Sequence, residues 1–127
     1  MSHVPGLEDV IARLEAYCRE RDWAGFDPYD ALNSELFART PLAKSRVARL
    51  ALTQFLKRSP VNFRPLLRIG PHQNPKALAL FLMSYVRLAR AGDAAARAAA
   101  GQVAARLLEL RSPETPHWCW GYSFPWQ

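Results

Sequence analysis

An all-α domain built of helical hairpins is what this sequence predicts. Three observations carry that reading. Ala, Leu and Arg are abundant, and few segments favour strands. Apolar residues recur at helical spacing in stretches bounded by Pro, Gly and capping residues. The stretch NPKALALFLMSYVRLAR, Asn74 to Arg90, places apolar side chains over most of a helix circumference, which predicts a central helix enclosed by its neighbours.

The elements follow in order. Gly6 to Arg21 reads as an amphipathic helix with Leu7, Val10, Ile11, Leu14, Tyr17 and Cys18 on one stripe. Glu8 and Asp9 suit the positive end of its dipole. In WAGFDPYDALNSELF, Gly25 and Pro28 break the helix, so a loop is expected to about Tyr29 and a short helix from Asp30 to Phe37. Thr40 as N-cap and Pro41 at the first helical position open a further helix expected to reach about Lys57. VNFRPLLRIGPHQ holds Pro65, Gly70 and Pro71 and reads as connection, with one helical turn around Leu66 to Ile69. Asn74 caps the central helix and Pro75 fits its first turn. Gly92 stops that helix, and Asp93 caps a second one running to about Leu110. The two form a tight hairpin in which Ala faces allow close approach. The tail SPETPHWCWGYSFPWQ, Ser112 to Gln127, is broken by prolines and dense in aromatics, and reads as a strand or an aromatic loop.

Length and charge bound the rest. The 127 residues make about one domain, and half of them are hydrophobic. The formal charge is +6, and no acidic residue stands between Glu35 and Asp93. A basic interval of this kind attracts polyanions, although a plain solvated face is the stronger reading and nucleic acid is not expected as a partner. No apolar run reaches the roughly 18 to 20 uncharged residues of a membrane span. The opening MSHVPGLEDV lacks the basic patch and apolar core of a signal peptide. Cys18 and Cys119 are far apart and unpatterned, as reduced thiols of a cytoplasmic protein would be. His3, His72 and His117 have no ligand spacing with them, so no metal or other cofactor is expected.

Three loops together carry a family resemblance: FDPYDALNS at 26–34, KRSPVNFRPLL at 57–67 with NPKALALF at 74–81, and CWGYSFPWQ at 119–127. The chain from Trp23 onward resembles the opening segment of a bacterial family of larger proteins linked with exopolysaccharide biosynthesis. That family is assigned an α/α toroid, the architecture of six-hairpin glycosidases and of terpenoid cyclases. The motifs are specific to the family and not to one reaction, because the fold hosts several chemistries. Relatives carry an acidic residue where Pro125 stands here, and they continue past Gln127. The resemblance therefore implies the first part of a ring, carbohydrate-associated and by itself not a competent enzyme.

In a ring of hairpins the loops at one end line a shared cavity. The residues expected there are Asp27, Asp30, Asn33, Asn62 and Arg64, with His117, Trp118, Trp120, Tyr122 and Trp126 from the tail. Aromatic rings stack on sugar faces, while carboxylates and amides hold hydroxyls. Asp27 and Asp30 are the acid–base candidates, since glycoside hydrolysis uses two carboxyls about 5 to 9 Å apart; turn and cap formation is the competing role, and the favoured one. His117 is conceivable as an acid or base and reads better as structural; Cys119 reads as an inert thiol. Arg64 either clamps an anionic ligand group or caps a helix C-terminus. The tryptophans form a ligand platform or a core plug, with the plug favoured in so short a chain. The leading function is contact with an oligosaccharide or polysaccharide. The alternatives are an interaction module for a polyanion or partner protein, and an isoprenoid-cyclase-like pocket, for which a DxDD or DDxxD cluster is missing. A part-ring leaves apolar faces bare, which predicts a homodimer.

Overall fold

The computed structural model describes residues 6–113 and 115–122. Those residues are mostly helical, so the chain is all-α with one minimal two-stranded sheet. Helix α1, Leu7–Glu20, is followed by strand β1, Ala24–Gly25, and a 3₁₀ turn at Asp30–Asn33. Then come α2, Glu35–Ala38, a second 3₁₀ turn at Pro41–Lys44, and α3, Arg46–Arg58. Strand β2, His72–Gln73, precedes the long pair α4, Pro75–Arg90, and α5, Ala94–Glu109. The strands are antiparallel, Ala24 facing Gln73 and Gly25 facing His72.

Two expected helices are subdivided, and in each a serine does it. Ser34 accepts the Phe37 N–H, so the predicted 30–37 helix becomes a 3₁₀ turn and a separate α-turn. Ser45 accepts the Ala48 N–H and restarts the helix that Thr40-Pro41 was expected to begin. Both are ordinary N-cap contacts, satisfying amides that have no partner at a helix start.

The α4–α5 hairpin is the firmest unit. Asn74 Oδ1 accepts the Lys76 and Ala77 amides, and Asp93 Oδ1 accepts that of Ala96. Gly92 turns the corner at φ 102°, a region open to glycine and strained for other residues. Ala96, Ala99 and Val103 of α5 pack with Leu78 and Tyr85 of α4 and with Trp23, forming the main core. A second small core joins Ala31, Leu56 and Ile69, with Leu52, Phe63 and Leu67 against it.

The expectation of an enclosed central helix is corrected. Leu80, Met83 and Leu88 of α4 are exposed, because the described elements cover α4 mainly on the side that meets α5 and Trp23. Helix α1 buries none of its residues, and its stripe from Leu7, 75% exposed, to Tyr17, 56% exposed, lies open. The outer face of α3 is also bare at Val47, 77% exposed, at Leu50 and at Phe55.

Candidate functional site

The site begins with the turn that ends α1. Asp22 and Trp23 take φ values of 49° and 55°, in the left-handed region that non-glycine residues seldom occupy. Three anchors hold them. The Gln73 amide Nε2 donates to the Asp22 carbonyl at 2.6 Å and to its Oδ2 at 3.0 Å. Arg106 Nε reaches Asp22 Oδ2 at 3.0 Å, and Glu109 with Asp22 keeps that guanidinium's pKa above its ordinary value. The Trp23 indole is buried edge-on to Tyr85, centroids 6.2 Å apart, and donates to the Tyr85 hydroxyl at 3.3 Å. The turn is thereby fastened to β2, α4 and α5 at once, which offsets local backbone strain.

The 26–34 loop is locked in a different way. Arg64 Nε lies 3.0 and 2.9 Å from the two oxygens of Asp30, which is 2% exposed. The same guanidinium donates through Nη2 to the Asp27 carbonyl at 3.3 Å and stands 5.3 Å from the Phe26 ring centroid. Asp27 uses Oδ1 to accept the Tyr29 amide at 2.8 Å, an Asx-type turn contact. Its Oδ2 accepts from Asn74 Nδ2 at 3.4 Å. Because Asn74 Oδ1 already faces the α4 amides, its NH₂ group has to point toward Asp27, which fixes the amide's orientation.

These contacts shape a cavity of about 360 Å³. Trp23, Phe26, Phe81 and Tyr122 supply its aromatic walls, and Asp27, Asp30, His72, Gln73 and Asn74 its polar groups. A second cavity of about 350 Å³ adjoins it, sharing Asn74, Pro75 and Tyr122 and adding Lys76, Leu107 and Trp120. The tail reaches this place because it doubles back on α5: Ser112 N–H donates to the Cys119 carbonyl at 2.9 Å, and Trp120 Nε1 donates to the Leu107 carbonyl at 2.6 Å. The end of α1, the start of α4 and the end of α5 thus meet at one end of the molecule.

The residues singled out in the sequence divide into three groups. Asp27, Asp30 and Tyr122 line the first cavity, and Trp120 with Tyr122 the second. Arg64 braces the first cavity from behind through Asp30 and lines neither. It does not cap a helix; its Nε is taken by Asp30 and its Nη2 donates to the Asp27 carbonyl. Asn33, Asn62, His117 and Trp118 line neither cavity. Asn62 Oδ1 accepts the Arg64 amide at 3.2 Å, and Trp118, 64% exposed, lies beneath the Arg111 guanidinium at 5.1 Å. Trp126 lies outside the described residues. Trp118, Trp120 and Tyr122 are all exposed, so the core plug favoured from the sequence is not what these three form.

The chain matches no family model, no curated protein and no solved structure. Its function has to be argued from its own residues. Phe26, His72, Gln73 and Phe81 also line the cavity, and the sequence did not single them out as site residues. Asn74 was legible as a cap, but its second contact, to Asp27, was not. Among the described residues no group of three or more His, Cys, Asp or Glu side chains can hold a metal. No described helix is long and apolar enough to cross a membrane.

Proposed function

We propose that this chain is a saccharide-binding domain of bacterial polysaccharide metabolism. One observation carries the reading: three connecting segments converge on a cavity whose walls are aromatic and whose few polar groups are carboxylate, amide and imidazole. Rings of that kind stack on the apolar faces of pyranoses, and the amides and carboxylate take hydroxyl groups. Small-ligand pockets span about 300 to 1,000 Å³, and the cavity of about 360 Å³ falls within that interval.

Binding is better supported than cleavage. Glycoside hydrolysis uses two carboxyls across the scissile bond. Asp30 has both oxygens against Arg64, which leaves Asp27 as the acid–base candidate on this chain. Intrinsic tryptophan fluorescence tests the reading, because Trp23 and Trp120 both line the cavities. A panel of oligosaccharides is expected to change the emission of the parent protein and not that of a folded Tyr122→Ala variant. A folded parent that responds to no member of the panel opposes the proposal.

A second reading rests on a separate observation. Arg39, Arg46, Arg58 and Arg68 are exposed and have no ion-pair partner among the described residues, and Arg46 and Arg58 are carried on α3, whose outer face is apolar and bare. A surface of that composition suits a polyanion or an acidic partner protein. Retention on heparin that falls steeply between low and moderate salt favours it, and elution with the salt front opposes it.

A further inference from the structure

We infer that the saccharide carries an anionic substituent, and that the cavity beside Trp120 is a subsite for that acidic sugar residue with Lys76 as its counter-charge. The inference rests on the saccharide reading and names the substrate class. The two cavities share Asn74, Pro75 and Tyr122 and so lie side by side, within reach of a ligand longer than one ring. Their charges are opposite. The first presents Asp27, while Asp30 beside it is compensated by Arg64. The second contains one charged side chain, Lys76, exposed and with no carboxylate partner among the described residues.

Asn74 stands between them and reinforces the division. Its carbonyl oxygen is turned to the α4 amides and its NH₂ to Asp27. The first turn of α4 has no acidic side chain, so the positive end of the helix dipole adds to the Lys76 ammonium. Trp120 is held by its bond to the Leu107 carbonyl, which presents a fixed ring beside that charge. A neutral ring is therefore favoured next to Asp27, and a ring bearing a carboxylate or phosphate next to Lys76. A uronate and a sugar phosphate satisfy the same chemistry and are separated by the test.

The test is a titration of the ¹⁵N-labelled protein with glucose, glucuronate and glucose 6-phosphate, followed at the indole N–H resonances of Trp23 and Trp120 and at the Lys76 amide. An acidic sugar is expected to move the Trp120 and Lys76 signals with an affinity about fivefold above glucose, as an exposed charge pair supplies. Lys76→Gln is expected to abolish that preference, bringing the affinity for the acidic sugar down to that for glucose. Whichever of the two acids shows the advantage identifies the anionic group. Equal affinities for all three sugars, or a preference that survives Lys76→Gln, overturns the inference and leaves saccharide binding standing. Silence of both indoles toward all three sugars overturns the saccharide reading together with the inference.

Discussion

Arg64 joins Asp30 across 34 residues of sequence, its Nε 2.9 Å from one carboxylate oxygen and 3.0 Å from the other. The pair fastens the 26–34 loop to the connection between α3 and β2, and it is almost withdrawn from water. Removing one partner of a buried pair leaves the other charge uncompensated. Arg64→Ala is therefore expected to destabilise the fold by about 3 to 5 kcal/mol. Arg39→Ala, an exposed arginine in ordinary helical backbone with no ion-pair partner among the described residues, is expected to stay within about 0.5 kcal/mol. Urea unfolding of the two variants side by side checks this, and equal midpoints refute it.

Trp23 ties the strained turn to the helical hairpin. It buries a large aromatic surface against Tyr85 and shares one hydrogen bond with it. Trp23→Ala is expected to cost about 3 to 5 kcal/mol through the cavity it leaves. Tyr85→Phe removes only the hydroxyl, which links the indole to Glu15, and is expected to cost about 1 kcal/mol. Thermal melts that rank the two variants the other way argue against this role for the turn.

Much of this fold was legible because its signals are local. Asn74-Pro75, Gly92 and Asp93 mark helix ends by their own chemistry, and the hairpin appears where they predict it. The Ser34 and Ser45 caps are not legible in the sequence, because Asp30 and Thr40-Pro41 offer competing starts a few residues earlier. The strands are two residues each, too short for any alternation to show. At the site, the pairing of Asp30 with Arg64 was not legible. A long-range ion pair leaves no periodic trace in a sequence. The enclosed central helix was overestimated for a related reason: apolar periodicity reports which faces seek cover, not whether anything covers them.

Two glycines of the hairpin separate backbone effects of opposite sign. Gly92 adopts a positive φ, and a Cβ there meets no neighbour, so Gly92→Ala is expected to cost about 1 kcal/mol from conformation alone. Gly101 lies inside α5, also with open space around a built Cβ. Gly101→Ala is expected to stabilise by about 0.5 to 1 kcal/mol through helix propensity. Chemical denaturation curves resolve both shifts, and a common sign contradicts the assignment.

The bare faces lead to an expectation about assembly. Leu7, Ile11 and Leu14 on α1, and Val47 and Leu50 on α3, are exposed apolar side chains carried on regular helices. Contiguous apolar surface of this kind is rarely left in water by a soluble monomer. A second copy of the chain is always at hand to cover it, and a two-fold dimer is the commonest closed solution. Light scattering across a concentration series is expected to show mass rising toward twice that of the 127-residue chain. Leu14→Glu or Leu50→Glu is expected to shift the equilibrium toward monomer without loss of helix content, since neither residue contributes to the core. A monomer mass that holds at high concentration in the parent protein refutes self-association through these faces.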